Sequence, residues 1–202
     1  NGVDIFNIDK TFKSSISVNK KNIIQLFDNL TPDENKFGIG FDNIVYVIKQ
    51  QSDGKYIVAG EFTKYQGVTL SKNNICRLNT DGSLDTSFTP PTFSSIIYTM
   101  DIDSSDNIYI GGYDTIGGKK YLQKLNSDGT LNTSYMGSGT VGFNNPVTSI
   151  KIQPDDKLIV GGVFTSYVST TNGTVSTNGL IRLNTNGTKD TAFNGVVQGF
   201  TN

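Results

Sequence analysis

The stretch FDNIVYVIKQQSDGKYIVAG, residues 41–60, decides the fold of this chain because it is written three times. It recurs without gaps as FSSIIYTMDIDSSDNIYIGG at 93–112 and as FNNPVTSIKIQPDDKLIVGG at 143–162. Phe200 stands where a fourth copy begins. A period of about fifty residues is typical of repeat arrays in which each unit packs on its neighbours. The sequence therefore predicts a repeat architecture.

Each repeat carries a second ungapped block that ends on an aromatic residue: ICRLNTDGSLDTSF at 75–88, LQKLNSDGTLNTSY at 122–135 and LIRLNTNGTKDTAF at 180–193. The two blocks together predict four short strands per repeat, here called A to D, with tight turns between A and B and between C and D. We expect the closing aromatic rings to fill the space between neighbouring units.

Strand positions follow from alternating or β-branched runs that end in turn residues. Strand A is predicted at residues 45–51, 97–103 and 147–153, strand B at 56–60, 108–112 and 158–162, and strand C at 75–79, 122–126 and 180–184. The turns support these assignments, since the glycine of Asp53-Gly54 or Asp81-Gly82 accepts the positive φ of a tight hairpin. Residues 20–30 fit either a strand or one helical turn.

The predicted fold class is all-β, a β-propeller made of four-stranded antiparallel blades of about fifty residues. We expect complete repeats at 41–88, 93–135 and 143–193, and the start of another at 199–202. Residues 1–40 read as the end of a preceding repeat plus a linker. Because propellers have four to eight blades, we expect a section of a longer propeller or an unusual closure.

Composition excludes several classes of function. The chain has no histidine and one cysteine, which rules out His-based triads, His–metal sites and internal disulfides. Its net charge of −1 gives no basic surface for nucleic acid. No run of eighteen apolar residues occurs, so we expect no membrane insertion. The sequence predicts no cofactor and no metal site.

The repeated pattern GF-x3-V-x-x-I-x-x-Q-x-D-x-K, hydrophobic-V-G-G-x-F-T, then R-L-N-x-x-G-x-x-D-x-x-F resembles the delta-60 repeat. The third copy carries the match most fully, at Gly142, Phe143, Val147, Ile150, Gln153, Asp155, Lys157, Val160, Gly161, Gly162, Phe164 and Thr165, then Arg182, Leu183, Asn184, Gly187, Asp190 and Phe193. The resemblance covers roughly residues 37–202. It implies blades similar to those of β-propellers, found in bacterial secreted and surface proteins and in some bacteriophage structural proteins.

Binding is expected on the variable B–C loops, residues 64–74, 116–120 and 166–179, because long loops on a rigid scaffold commonly carry function. Tyr65, Tyr113 and Tyr167 lie near the same edge and are the candidate binding residues. The alternative for these rings is packing beneath the loops.

Other motifs give weaker signals. Asp101, Asp103 and Asp106 could offer oxygen atoms to Ca²⁺, but a solvated strand edge with turn aspartates is the simpler interpretation. Glu61 is a carboxylate at the end of a B strand with no evident acidic partner. The cation repeated on strand C, namely Arg77, Lys124 and Arg182, indicates a structural bond to a neighbouring blade.

These observations predict a non-enzymatic structural and interaction module of a viral particle, such as a phage tail or similar virion component with a role in host attachment. The alternative is a bacterial secreted or cell-surface adhesin or glycan-binding propeller. Expected partners are other virion or cell-surface proteins within a larger assembly, with surface glycan as a further candidate. The expected location is the virion, or else the cell surface.

Overall fold

The computed structural model describes residues 39–193. The described part is all-β and contains no helix. Its strands are β1 (Val45–Gln50), β2 (Tyr56–Gly60), β3 (Lys64–Tyr65), β4 (Val68–Thr69), β5 (Ile75–Leu78), β6 (Ile97–Ile102), β7 (Ile108–Ile116), β8 (Lys119–Leu125), β9 (Val141–Phe143), β10 (Val147–Ile152), β11 (Leu158–Gly162), β12 (Ser166–Ser169), β13 (Gly173–Ser176) and β14 (Leu180–Leu183).

Three antiparallel units follow the three repeats. The first unit is β1-β2-β5, the second contains β6-β7-β8, and the third is β10-β11-β14. Strands A, B and C are therefore confirmed, with ends that differ from the predicted ones by one residue in most cases. In the second unit β7 and β8 run longer than predicted, to Ile116 and from Lys119.

The tight turns have the predicted backbone. Residue 54 and its counterparts at 106 and 156 hold positive φ angles of 84°, 60° and 58° in the A–B turns. The C–D turns place Gly82, Gly129 and Gly187 at 84°, 93° and 84°. Aspartate adopts this left-handed conformation more easily than most residues, which explains why the second and third copies do without glycine between A and B.

The predicted fourth strand, D, is not confirmed. Each D segment contributes a single bridge to strand C, at Leu84, Leu131 or Lys189. The segment then turns instead of staying extended, because Asp85 accepts hydrogen bonds from the Ser87 amide on its carboxylate and from the Phe88 amide on its carbonyl.

A connector and a loop enlarge the second sheet beyond what the sequence predicted. Strand β9 pairs in parallel with β8, and the β12–β13 ribbon of the third unit then pairs with β9. The sheet order is therefore β13-β12-β9-β8-β7-β6. Since β9 is followed by β10 and not by a helix, the G-x-G-x-x-G spelling at 137–142 lacks the context of a dinucleotide site.

Neighbouring units pack through apolar clusters between their sheets. One cluster joins the first and second units and a second cluster joins the second and third. The first strands of the three units, β1, β6 and β10, contact one another in order, and within residues 39–193 the array is open.

The closing aromatic residues behave differently in the three units. Phe88 and Tyr135 are buried as predicted, whereas Phe193 is half-buried. Phe88 covers the turn glycine of the second unit, but in the next interface Met136 takes that position over Gly187. The residue that covers the next unit's turn glycine is therefore the closing aromatic in the first unit and the residue after it in the second.

The expectations for residues 1–38 and 194–202 lie outside the described residues. These are the end of a preceding repeat, the linker, the ambiguous stretch at 20–30 and the start of another repeat. Within the described part, no helix is long and apolar enough to cross a bilayer.

Candidate interaction surface

Two of the three tyrosines predicted to bind a partner lie in the core. Tyr65 is 3% exposed and stacks on Phe41 at 4.7 Å, while its hydroxyl donates to the Gly82 carbonyl at 2.7 Å. Burial raises the pKa of Tyr65 to about 12. Tyr167 is fully buried and repeats the arrangement, with its hydroxyl donating to the Gly187 carbonyl. Both rings support their loops from beneath, so neither can offer a face to a partner.

The B–C loops themselves are tied down by side chains. Asp42 accepts hydrogen bonds from the amides of Thr63 and Lys64, and Asn144 does the same for residues 165 and 166. In the second unit the acceptor and the donors change places. Asp114, near the loop, accepts hydrogen bonds from the amides of Ser94 and Ser95, which precede strand A. These bonds fix the places where the loops leave their strands.

The third predicted tyrosine, Tyr113, is 53% exposed and directly follows strand-B residue Gly112. Its ring lies 5.6 Å from Tyr98, which lies 5.6 Å from Tyr46. We call Tyr46, Tyr98 and Tyr113 the tyrosine row. It crosses from the first unit to the second at one edge of the array.

A β-bulge in each A strand sets the direction of these side chains. The register of β1 with β2 shifts between Val45 and Val47, which leaves Tyr46 as the extra residue. The same shift leaves Tyr98 extra in β6 and Thr148 extra in β10. Bulges turn a side chain away from the regular sheet face. The row therefore exists because two of three equivalent bulges carry tyrosine.

Glycine at the end of each B strand makes room for the bulge. A Cβ on Gly60 would collide with the Ile44 carbonyl oxygen, and one on Gly112 or Gly162 would meet the equivalent carbonyl of Ile96 or Pro146. Close backbone approach is a use for which glycine is suited. The glycine that ends each repeated block is therefore explained by the bulge beside it.

Glu61 lies at the same corner as Tyr46. Its amide donates to the Ile44 carbonyl at 2.8 Å, and the preceding residue pairs with Val45. Its carboxylate accepts no hydrogen bond and joins no ion pair within residues 39–193. Every other carboxylate in that range has a hydrogen bond or an ion pair. Glu61 is thus an unengaged acceptor beside the row.

The bond predicted between the repeated strand-C cation and a neighbouring unit is present at Arg77, whereas Lys124 and Arg182 pair with Asp103 and Asp190 of their own units. Arg77 Nε donates to Asp85 at 2.8 Å, and its Nη1 donates to the Ser127 carbonyl of the second unit, also at 2.8 Å. Burial alone would raise the pKa of Asp85, but hydrogen bonds from Lys55 and Ser87 and the Arg77 charge hold that pKa well below its usual range. This network fastens the first unit to the second.

The three aspartates considered for Ca²⁺ point to separate partners. Asp101 pairs with Lys49 at 2.9 Å, Asp103 accepts from the Asn107 amide, and Asp106 accepts from the Ser52 hydroxyl at 2.5 Å. In the described range no group of three histidine, cysteine, aspartate or glutamate side chains is placed to hold a metal ion. Their oxygens therefore do not converge on one point.

Residues 51–88, 104–135 and 153–193 match the sequence family described as "Domain of unknown function (DUF5122) beta-propeller". These segments span more than half of the chain. The chain belongs to this family. Each DUF5122 segment begins close to an A–B turn and ends on the aromatic residue that closes a unit. Membership agrees with the predicted all-β, β-propeller-like repeat.

No curated protein sequence matches this DUF5122 chain significantly. Among solved structures, it is similar to a protein of unknown function from Bacteroides caccae, with 11% identity and a TM-score of 0.40. The alignment covers 75% of this chain and 52% of that protein, so the chain spans about half the length of the matched structure.

Sequence reasoning missed Tyr46 and Tyr98 as site residues. Both stand five positions after the phenylalanine that opens their repeat, Phe41 or Phe93. That shared offset was a usable signal, but alternation along the strand gave no reason to expect a bulge there.

Proposed function

We propose that this chain is a non-enzymatic structural and interaction module that acts by surface contact. The observation that carries the proposal is the tyrosine row, whose Tyr46 and Tyr113 are 42% and 53% exposed on a tightly bonded scaffold. Tyrosine suits contact surfaces because its ring contributes apolar area while its hydroxyl tolerates water. The absence of histidine from the sequence supports contact over acid–base chemistry.

The proposal also covers the repeat family and the number of strands in each unit. The repeats are delta-60 repeats, and each unit corresponds to one blade with a four-stranded plan. The bridges of Leu84, Leu131 and Lys189 to strand C support this, since they mark the place where a fourth strand lies in such a blade.

The proposed setting is a larger assembly on the outside of a particle, such as a phage tail or similar virion component, where the row contacts other virion proteins or the host surface. A bacterial secreted or cell-surface adhesin is the second candidate. The resemblance to delta-60 repeats supports both settings, because those repeats occur in proteins of both kinds.

Immunogold labelling tests the setting. Antibodies against the purified chain are applied to intact particles and to intact cells from its source. Label on particles supports the virion component, and label on cells supports the adhesin. Label on neither contradicts both.

An attachment assay tests the surface. Fluorescently labelled protein is added to the structure that the antibodies mark, and Tyr98→Ser is compared with Thr148→Ala, which alters the equivalent bulge of the third unit. Loss of attachment in Tyr98→Ser alone supports the row as the contact surface. Equal attachment of both variants contradicts it.

A further inference from the structure

We propose that the tyrosine row and Glu61 form a binding site for an organic cation, that is, an ammonium or guanidinium group. This inference rests on the proposed function and names the ligand class of its contact surface. The cation can belong to a small quaternary ammonium compound or to a lysine or arginine side chain of a partner. Both sources present the same chemistry to the site.

The rings provide the first part of the site. The Tyr46 and Tyr98 rings meet at 63° and the Tyr98 and Tyr113 rings at 59°. Tyr46 and Tyr113 are 42% and 53% exposed and Tyr98 is half-buried, so all three rings are accessible to solvent in part. The face of an aromatic ring carries the negative end of its quadrupole and attracts a cation within about 6 Å of the centroid. Sets of such rings are the usual receptors for quaternary ammonium groups.

The carboxylate provides the second part, and it is independent of the rings. Glu61 lies beside the row because its amide bonds the Ile44 carbonyl and the preceding Gly60 pairs with Val45, the residue before Tyr46. Burial raises the pKa of Tyr98, and the neighbouring Tyr113, Tyr46 and Glu61 raise it further. At neutral pH Glu61 is the charged member of this group, and its negative charge favours a cation over a phosphate or carboxylate ligand.

At three other places an aromatic ring of this chain has a lysine or arginine of the same chain over its face. The Arg77 guanidinium lies 5.0 Å from the centroid of Phe88, the Lys124 ammonium 4.7 Å from that of Tyr109, and the Arg182 guanidinium 4.6 Å from that of Phe193. In each of these cases the same cation also pairs with an aspartate, namely Asp85, Asp103 or Asp190. The tyrosine row and Glu61 have the same combination of ring and carboxylate. Within residues 39–193, however, no lysine or arginine lies between them.

The third unit lacks the combination and so supplies the controls. Thr148 occupies the bulge position of Tyr46 and Tyr98, and Val163 occupies the position of Glu61 and Tyr113. Both are exposed. The site is therefore confined to the first two units.

Titration of the full chain with choline chloride tests the proposal. The matched probe is 3,3-dimethyl-1-butanol, which has the shape of choline without the charge. Tyrosine fluorescence reports binding directly because the chain contains no tryptophan. Two-dimensional NMR identifies the tyrosine rings that respond. Short peptides containing one lysine or one arginine, with an all-alanine peptide as control, form a second arm that distinguishes a partner side chain from a small ammonium compound.

We expect choline or the basic peptides to shift the Tyr98 ring signals and the neutral probes to leave them unchanged. Tyr98→Leu, which keeps apolar bulk but removes the ring, should weaken binding by about tenfold. Glu61→Gln should weaken it by roughly threefold and reduce its dependence on salt. Thr148→Ala and Val163→Ala should bind as the parent does. Unchanged thermal melting of each variant shows that the fold is intact.

Three results would overturn the assignment. One is that the neutral isostere binds as tightly as choline, which would make the row an apolar patch. Another is that neither choline nor a basic peptide shifts any tyrosine. The third is that a neutral oligosaccharide shifts the row while the cations do not. That last result would contradict the cation site but leave the row as the contact surface of the proposed function. Unimpaired attachment of Tyr98→Ser would contradict both the contact surface and the cation site that rests on it.

Discussion

The Phe88 ring of the first unit lies directly over Gly129 of the second, so that a Cβ added to Gly129 would come within 2.6 Å of the ring. Gly129 also holds a φ of 93°, in the C–D turn. One glycine therefore serves both the hairpin and the interface between units. In the next interface Met136, the residue after the closing aromatic Tyr135, lies over the turn glycine Gly187 in the same way.

We expect Gly129→Ala to destabilise the protein more than Gly139→Ala. Gly139 has a similar φ of 85°, but no atom lies within 4 Å of a Cβ added there. Its replacement therefore costs only the energy of holding alanine in a left-handed backbone conformation, about 1–2 kcal/mol. Gly129→Ala adds overpacking against Phe88, a further 1–3 kcal/mol or so. Denaturant unfolding of the two variants measures the difference. Equal losses would show that the Phe88 ring moves aside without cost.

Phe88→Ala should cost about 3–5 kcal/mol of unfolding free energy, as expected for a large core truncation. Phe193→Ala should cost less, about 1–2 kcal/mol, because its ring is only half-buried and loses mainly its contact with Arg182 at 4.6 Å. Chemical denaturation of both variants under the same conditions gives the comparison. A larger loss for Phe193→Ala would mean that its ring is covered in solution.

Removing a hydroxyl should have opposite effects at two buried tyrosines. Tyr135 Oη is buried and has no hydrogen-bond partner in the described part of the chain, so Tyr135→Phe should leave stability unchanged or raise it by about 1 kcal/mol. Tyr65→Phe should lower stability by about 1 kcal/mol, because the Gly82 carbonyl loses its donor. Thermal and urea unfolding check both signs. A destabilised Tyr135→Phe would show that its hydroxyl is bonded after all.

Asp85→Asn should destabilise the protein at neutral pH by about 3–5 kcal/mol, since it leaves the buried Arg77 without its carboxylate. The pKa of Asp85 is lowered in the folded state, so its contribution is present above the unfolded pKa of about 3.9. That contribution is lost as the pH falls from about 5 toward the folded-state pKa. The gap between parent and variant should therefore narrow in acid.

Unfolding free energies at several pH values between neutral and acid measure this narrowing. Asp155→Asn serves as the matched control, because the Asp155 side chain is 56% exposed and its loss should cost less than about 0.5 kcal/mol. A gap between the parent and Asp85→Asn that stays constant with pH would contradict the role given to the carboxylate.

The sequence by itself determined the repeat, three strands of each unit and the positive-φ turns. These features depend on neighbours close along the chain: β-branched runs favour strands, and Asp-Gly or Asn-Gly pairs close hairpins wherever they stand. A structural role for Arg77 was also predictable, because a charge repeated at one strand position indicates a repeated partner, and Arg77, Lys124 and Arg182 each pair with an aspartate.

Only the tertiary structure decided which tyrosines are accessible. Tyr65 and Tyr167 are covered by Phe41 and Phe143 from the same repeats, while the bulge at Tyr46 turns a strand residue outward. Alternation along a strand gives two faces but does not say which face a neighbouring unit covers, and a one-residue bulge exchanges them. The surface is therefore set by how the units pack, which no single repeat encodes on its own.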